Sequence, residues 1–356
     1  MWKDGKPCFL TWAGMNQSDP VADATSPMHP PAHRKTLLTL LADGGFHSGA
    51  DLARALGISR TAVWNKMRDL QGLGLELNAV SGKGYRLAQP LELLDAAEIL
   101  DSLSAAAKAK LAGLEIHGQL DSTNTYLMAK AASGAPGGTA CLAESQTQGR
   151  GRIGRVWQSP FGGHVSLSLL WRFADHAAVA GLSLAVGVAI IRTLRQAGVE
   201  EVGLKWPNDI LWRERKLGGI LLEVSGEAHG RCAVVIGIGL NVRLPPLAGL
   251  AIDQAWTDLS QISAGPPPSR NKLAALLLEE LLQLLADYPE QGLRAYLAEW
   301  RQWHCYVGRE VTLQAGDKTI AGVVVDITDE GLLVLDCGEA GLKPFASGDV
   351  RLRLHG

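Results

Sequence analysis

Apolar residues follow two spacings along the chain, and each spacing predicts a different kind of element. Val63, Met67 and Leu70 recur at the spacing of one helical face, after a serine at position 59 that is suited to cap a helix. Between residues 165 and 171, apolar positions alternate with small polar ones, as they do in a half-buried strand. The chain is therefore expected to combine a helical module with a sheet-based body.

The helical spacing belongs to residues 33–92, which predict a winged helix-turn-helix domain. Glycines and capping serines bound three short predicted helices, at about 33–42, 48–57 and 59–70. Two strand-like segments, 75–80 and 85–87, flank Ser-Gly-Lys-Gly and predict a small β wing.

The charge of this module differs from that of the whole chain, whose net charge is −2. Residues 33–90 hold eight Lys or Arg against four Asp or Glu, a net charge of +4, which favours binding to nucleic acid. A three-helix module that contacts protein instead is the alternative. For DNA, Lys83 would lie on the wing over phosphate, and the third helix would present the other candidates to the major groove: Arg60, Thr61, Trp64, Asn65 and Arg68.

The body is predicted to have two parts. Residues 93–305 alternate strands and helices, which indicates a mixed α/β sheet domain. Its longest apolar run, 177–191, is too short for a membrane span and predicts a buried helix. Residues 306–356 contain short strands separated by Gly and Asp, which predict a small SH3-like β-barrel; the strands are expected at 311–313, 323–327, 332–335 and 350–354. The predicted fold class is α+β.

Composition excludes several other classes. Hydrophobic residues make up 47% of the chain and charged residues 20%, as in a globular protein without a membrane segment. The five cysteines form no Cys-x-x-Cys pair, so we expect neither a metal site nor disulfides, and a cytoplasmic location. Residues 1–32 are rich in Pro, Asp and Ser, and they predict a disordered extension rather than a secretory signal.

The stretch Gly-Arg-Gly-Arg-Ile-Gly-Arg at 149–155 contains the glycine spacing of a dinucleotide-binding turn. That turn needs a helix that starts within the glycines, whereas Pro160 and a strand follow here. Glycines allow a backbone to close on a ligand, and arginines are permanently charged donors for carboxylate or phosphate. We expect a loop that folds over a small anion.

Four further clusters add cations and amides without a nucleophile–histidine arrangement or a set of metal ligands. Taken singly, each is at least as consistent with a structural role as with a functional one. They are Asp121-Ser-Thr-Asn124, Lys205-Trp-Pro-Asn-Asp209, Arg215-Lys-Leu-Gly-Gly-Ile220 and Gly237-Ile-Gly-Leu-Asn241.

Together with the Gly-Arg loop, these clusters resemble the ordered motifs of the biotin protein ligases. The leading helix-turn-helix and the trailing barrel make the chain similar to the bifunctional bacterial form, in which the ligase is also the repressor of the biotin operon. The resemblance covers about 33–354. Residues 1–32 match nothing in the family pattern, and the bend at 225–231 matches it loosely.

The resemblance implies roles for individual residues, motif by motif. For biotin it implies Ser122, Thr123, Asn124, Gln146, Arg150, Gly151, Arg152 and Lys216. For ATP and the adenylate it implies Trp157, Lys205, Asn208 and Asn241. The residues expected to act in catalysis are Lys205, Lys216, Arg150 and Arg152.

The implied activity is that of a biotin–[acetyl-CoA-carboxylase] ligase. Biotin reacts with ATP, accompanied by Mg²⁺, to give biotinyl-5′-AMP, and the biotinyl group passes to a lysine of the biotin carboxyl carrier protein. The expected partners are this carrier protein, biotin operon DNA and a second copy of the chain, with no membrane. A lipoate-type ligase, a ligase without DNA binding, and a ligand-sensing transcription factor without ligase activity are the alternatives.

Overall fold

The computed structural model of the protein describes residues 31–226, 230–245, 249–315, 318–347 and 350–354. Residues 1–30 of the predicted extension lie outside the described residues, and its last two residues begin the first helix. The chain forms two compact units, the first of which ends at Leu91 and the second of which begins at Glu92. No helix in the described part of the chain is long and apolar enough to cross a membrane.

The first unit contains the three predicted helices and the wing. Its elements are α1 (Pro31–Leu41), α2 (Gly49–Leu56), α3 (Arg60–Gly72), β1 (Leu77–Val80) and β2 (Gly84–Leu87). The hydroxyl of Ser48 accepts from the amide of Asp51 and that of Ser59 from Ala62, so both predicted caps form. β1 and β2 pair antiparallel, and a bridge between His47 and Tyr85 attaches the wing to the segment before α2.

A seven-stranded sheet forms the body of the second unit. Its strands are β3 (Gly113–His117), β4 (Thr139–Ala143), β5 (His164–Phe173), β6 (Val202–Lys205), β7 (Asp209–Trp212), β8 (Arg215–Gly226) and β9 (Cys232–Asn241). The strand order is β3-β4-β5-β9-β8-β7-β6, with β3 and β4 parallel and the other neighbours antiparallel. The sheet is therefore mixed, as the α+β prediction requires.

Helices surround this sheet. They are α4 (Ala96–Asp101), α5 (Ala105–Lys110), α6 (Thr123–Ala132), α7 (Leu182–Gln196), α8 (Leu259–Ile262), α9 (Arg270–Gln291) and α10 (Arg294–Trp303). The apolar run that predicted a buried helix supplies most of α7, where 11 of 15 residues are buried. The helix starts later than the run, because the first residues of the run form a short 3₁₀ turn. Gly181, with a φ of 71°, then separates this turn from the helix.

The C-terminal residues form one five-stranded antiparallel sheet. Its strands are β10 (Glu310–Ala315), β11 (Lys318–Ile327), β12 (Leu333–Asp336), β13 (Leu342–Phe345) and β14 (Val350–Leu354). The sequence prediction of four strands missed β13 and is wrong there. β13 is a mostly exposed edge strand that contains Pro344, so it has no buried apolar face to give an alternating pattern.

This sheet shares its apolar core with the body. Val311, Leu313 and Leu335 are fully buried and belong to the same cluster as the residues of α7 and β9. The indole Nε1 of Trp206, at the end of β6, donates to the carbonyl oxygen of Gly331 over 3.0 Å. The C-terminal strands are therefore positioned to contribute to a site at that end of the large sheet.

Candidate functional site

A cavity of about 460 Å³ lies against one face of the large sheet. The N-terminus of α6, the loop between β4 and β5, the turn after β6, and strands β8 and β9 surround it. All twelve residues that the sequence assigned to biotin or ATP line this one cavity: Ser122, Thr123, Asn124, Gln146, Arg150, Gly151, Arg152, Trp157, Lys205, Asn208, Lys216 and Asn241. Their individual roles stay predictions.

One end of the cavity is a buried network of hydroxyls and amides. The Oε1 of Gln146 accepts from both the amide (2.8 Å) and the hydroxyl (3.2 Å) of Thr123. The hydroxyl of Ser168, on β5, lies 2.7 Å from Thr123 Oγ1 and 2.6 Å from the Oδ1 of Asn124. Donors and acceptors fixed in this way suit a neutral, planar polar group such as a urea or an amide.

Two glycines of β9 make room for this network and for a neighbouring indole. A Cβ on Gly237 would lie 2.2 Å from Asn124 Oδ1, and one on Gly239 would lie 2.5 Å from Cε2 of Trp157. Both distances are shorter than the non-bonded contacts that Cβ atoms make in proteins. The glycines in the Gly-Ile-Gly-Leu-Asn motif are therefore required by close approach of side chains to the sheet.

The Gly-Arg loop closes on itself as a hairpin-like turn. The amide of Gly151 donates to the Arg155 carbonyl over 2.7 Å, and that of Trp157 to the Gly149 carbonyl over 2.8 Å. Ile153 and Gly154 have φ of 55° and 67°. A single 3₁₀ turn, not an α-helix, follows the first glycines, so the exclusion of a dinucleotide-binding turn is confirmed.

The two predicted loop arginines have protein partners that a ligand would have to share. Arg150 Nη2 lies 3.0 Å from Oε1 of Glu223 on β8, and the side chain of Arg150 is 46% exposed. Arg152 donates to Asn208 Oδ1 over 3.3 Å and to the carbonyl oxygen of Ser347, which follows strand β13. The loop is thus attached to both the large sheet and the C-terminal residues.

Two lysines form the cationic end of the cavity, with a carboxylate between them. The Nζ of Lys216 lies 2.7 Å from Asp209 Oδ1, and the Nζ of Lys205 lies 3.9 Å from Asp209 Oδ2. Burial lowers the pKa of Lys205 from its usual value, although Asp209 opposes the change. Two ammonium groups around one carboxylate leave an excess positive charge, which suits a phosphate or carboxylate ligand.

The indole of Trp157 lines the cavity beside the lysines and packs on a buried histidine. The ring of Trp157 packs edge to face against that of His164, with centroids 5.6 Å apart, and Lys216 Nζ lies 5.9 Å from the Trp157 ring. Burial lowers the pKa of His164 to about 3, so this imidazole is neutral at physiological pH. Asn241 also lines the cavity, and its side-chain amide donates to the carbonyl of Thr257 over 2.9 Å.

Sequence reasoning missed three side chains of this arrangement. Ser168 belongs to the small polar positions of the alternating strand pattern, on the face of β5 opposite to Val165 and Leu167, and that alternation alone did not indicate that it is buried. Asp209 was quoted within Lys-Trp-Pro-Asn-Asp without a role. Glu223 had no signal, because its contact with Arg150 joins β8 to a loop 73 residues earlier.

The residues predicted to bind DNA lie elsewhere, in the first unit. Arg60, Thr61, Trp64, Asn65 and Arg68 are exposed on α3, and Lys83 is exposed at the tip of the wing. The guanidinium of Arg68 lies 5.1 Å from the ring of Trp64, whose surface is 49% exposed. One helix face and one wing tip therefore present cations, an amide and an indole to solvent, as a groove-binding helix does.

Three family models match the chain in the order of its parts. The helix-turn-helix domain matches residues 33–86, the biotin/lipoate A/B protein ligase family matches 116–241, and the biotin protein ligase C-terminal domain matches 306–353. The second range contains most of the residues that line the cavity.

Whole proteins are similar over most of the chain. The bifunctional ligase/repressor BirA of Escherichia coli is 39% identical over 318 residues, 89% of this chain and 96% of that protein. The bifunctional ligase/repressor BirA of Bacillus subtilis is 34% identical over 90% of this chain and 98% of its own length. A solved structure of the biotin protein ligase from Aquifex aeolicus in complex with biotin and ATP matches over 69% of this chain and 100% of that one, with 27% identity and a TM-score of 0.59.

Proposed function

The chain belongs to the family of bifunctional biotin protein ligases and repressors, and from this premise we propose how its residues carry out the two activities. It is a biotin–[acetyl-CoA-carboxylase] ligase with a helix-turn-helix domain. We assign DNA binding to residues 33–92, ligation to 93–305 and a supporting role in the ligase site to the C-terminal residues 306–356.

The observation that carries the ligase assignment is the polarity of the cavity. At one end, around Thr123 and Gln146, hydroxyls and amides line the cavity, with the Arg150–Glu223 ion pair beside Asn124, and at the other end two ammonium groups lie around Asp209. Biotin has a neutral ureido ring at one end and a carboxylate at the other. We place the ureido ring at the end with the hydroxyls and amides, beside Arg150, and the carboxylate near Lys216 and Arg152, with ATP at Lys205, Asn208, Trp157 and Asn241.

In the first step, the biotin carboxylate attacks the α-phosphorus of ATP. A bond forms from the carboxylate oxygen to phosphorus, the bond to the bridging oxygen of the β-phosphate breaks, and pyrophosphate leaves. A carboxylate is already a nucleophile, so the protein need only align the two anions and neutralise charge. Lys205, Lys216, Arg150 and Arg152 supply that charge.

In the second step, the ε-amine of a carrier lysine attacks the acyl carbon of biotinyl-5′-AMP. An amide bond forms, AMP leaves and the amine gives up a proton. Until then, the mixed anhydride must be kept from water, and we assign this task to the loop 149–155, whose backbone can close over the cavity.

We include Mg²⁺ as the ion that accompanies the nucleotide. Among the described residues no cluster of three His, Cys, Asp or Glu side chains is arranged to hold a metal by itself. Such an ion would be held mainly by phosphate oxygens and water, with Asp209 as a carboxylate within the cavity. It would neutralise phosphate charge.

A labelling assay with a biotin carboxyl carrier domain tests the ligase assignment. The full chain is incubated with ATP, Mg²⁺ and either biotin or lipoate, and pyrophosphate release and carrier mass are followed. We expect release and a mass increase with biotin only. Activity with lipoate in place of biotin would identify a lipoate-type ligase instead.

We propose that the first unit represses biotin synthesis genes, because its α3 face and wing are basic and exposed. A gel shift with DNA from upstream of those genes, with and without biotin and ATP, tests this. A shift that strengthens when both ligands are present is expected. No shift under either condition would leave a ligase without DNA binding.

We further propose that the protein acts as a homodimer in the cytoplasm, where ATP and its carrier substrate are made. The dimer follows from the family resemblance, in which adenylate in the loop promotes pairing. Sedimentation with and without biotin and ATP measures it, and a monomer under both conditions would contradict it.

A further inference from the structure

The loop that carries the candidate substrate residues is fixed at its base by a buried ion pair. Residues 145–163 leave the end of β4 and return to the start of β5. Glu144 comes immediately before this loop and His164 immediately after it. Arg270, the first residue of α9, contacts both, although neither Arg270 nor Glu144 lines the cavity.

The contacts of Arg270 join three segments of the chain. Its Nη1 donates to Oε2 of Glu144 over 2.7 Å, and its Nε donates to the carbonyl oxygen of His164 over 2.8 Å. Nη1 also donates to the carbonyl oxygen of Glu92 over 2.7 Å. A planar guanidinium holds such partners at set directions, which a lysine ammonium does not.

Glu144 also accepts hydrogen bonds from two other segments of the chain. Its Oε1 accepts from the amide of Leu94 over 2.6 Å, and its backbone carbonyl accepts from the amide of Gly162, near the far end of the loop, over 2.9 Å. Glu144 and Arg270 are 5% and 3% exposed. A buried ion pair is a weak source of stability, and what it can offer instead is a defined geometry.

We propose that Arg270 and Glu144 are positioning residues of the ligase site, which set the separation and direction of the two ends of the loop 145–163. The loop bears Gln146, Arg150 and Trp157, and a shift at its base moves all three relative to α6 and β9. The proposal rests on the proposed ligase function, since it assigns the pair a task in binding biotin and retaining the adenylate.

The test compares full-length Arg270→Lys and Glu144→Gln with the unaltered chain. Arg270→Lys keeps the charge but cannot reach Glu144, His164 and Glu92 in one geometry. Glu144→Gln keeps an acceptor for Leu94 but removes the ion pair. For each, biotin is titrated to give the dissociation constant and the number of sites per chain, and the half-life of bound biotinyl-5′-AMP is measured.

We expect the dissociation constant to rise about ten-fold or more in both variants, and the adenylate half-life to fall, since small misplacements of binding groups are costly. A merely structural role has a different signature: fewer sites per chain with an unchanged dissociation constant. That signature in either variant would overturn the proposal.

Tyr288→Phe is the matched control. Tyr288 lies on the same helix, is 1% exposed, and its hydroxyl donates to the Ala180 carbonyl over 2.6 Å, away from the loop. We expect a lower melting temperature with unchanged biotin affinity. If both loop-base variants fail to fold, hydrogen exchange of the unaltered chain decides: without biotin, the amide of Gly162 must be protected, and its rapid exchange would contradict a fixed base. An inactive unaltered chain would contradict the ligase assignment instead.

Discussion

At the scale of single residues, two cations of the cavity, Arg150 and Lys216, are paired with carboxylates of the protein. Arg150 pairs with Glu223 at a half-exposed position, where an ion pair contributes little to stability and is readily exchanged. Lys216 pairs with Asp209, and both side chains are less than 15% exposed. A substrate anion can therefore take over Arg150 at small cost, whereas Lys216 and Asp209 are expected to stay together.

Arg152→Ala tests the role of the loop in retaining the adenylate. The substitution removes the hydrogen bonds from the loop to Asn208, in the turn after β6, and to Ser347, in the segment after β13. We expect biotinyl-5′-AMP to leave the protein faster, or biotin to bind about ten-fold more weakly. Filter binding with labelled biotin and ATP measures both.

Arg172→Ala is the control for that experiment, because Arg172 caps carbonyls such as that of Ala135 and lies outside the cavity. It removes the same charge. Equal adenylate retention and biotin affinity in Arg152→Ala and the unaltered chain would contradict the assigned role.

Lys205 predicts an alkaline limit to adenylation. Burial lowers its pKa below the usual 10.5, so Lys205 loses its charge at lower pH than an exposed lysine does. If the ammonium is needed against ATP, kcat/KM for ATP must fall as pH rises through that lowered pKa. In Lys205→Arg, the guanidinium stays charged, so the fall in kcat/KM for ATP should move to higher pH. An identical alkaline limb in both proteins would exclude Lys205 as its origin.

At the scale of elements, the sheet face under the cavity is built from small and hydroxyl-bearing residues. Ser166 and Ser168 on β5 lie beside Gly239 and Gly237 on β9 in the antiparallel register. The two glycines are separated by one residue and therefore face the same side. Each leaves space for a different side chain, Asn124 or Trp157, at the two ends of the cavity.

Gly237→Ala and Gly239→Ala form a matched pair that separates the two ends. A methyl group at 237 must displace Asn124, and one at 239 must displace Trp157. Each is expected to cost about 1–3 kcal/mol of stability, as overpacking does. We expect Gly237→Ala to weaken biotin binding and Gly239→Ala to weaken ATP binding. Calorimetry with each ligand checks this, and equal losses of both ligands in both variants would contradict the assignment of the ends.

At the scale of the whole molecule, charge is divided between the two units. Residues 33–90 carry a net charge of +4, although the complete chain carries −2. Within the second unit, the cavity that we propose as the ligase site is lined by Leu352 of the C-terminal sheet, and Ser347, in the segment after β13, accepts a hydrogen bond from Arg152. The body and the C-terminal residues together therefore form the proposed ligase site.

Lys83→Ala tests whether the wing binds phosphate. Lys83 is exposed at the wing tip, with its Nζ 5.8 Å from the ring of Phe46. Loss of one phosphate contact should weaken binding to all DNA sequences and reduce the slope of log K against log salt by about 1. Lys110→Ala removes the same charge in the second unit and should leave the slope unchanged. Equal slopes for Lys83→Ala and the unaltered chain would remove Lys83 from the interface.

The sequence by itself determined the three parts of the chain, their order, and twelve of the residues that line the cavity. Capping serines at 48 and 59, alternation in β5 and glycines at turns act over a few residues, so local pattern suffices for them. The residues assigned to biotin or ATP are spread between positions 122 and 241, and the structure brings all of them to one cavity. The fold class and the family were predictable for the same reason.

Only the tertiary structure decided which groups meet across that distance in sequence. The contacts Arg150–Glu223, Lys216–Asp209 and Arg270–Glu144 join segments whose spacing carries no periodic signal. The edge strand β13 escaped prediction because an exposed strand has no apolar face to reveal it. Burial of a charge and the partner that compensates it depend on long-range packing, and a local pattern of residues does not contain either.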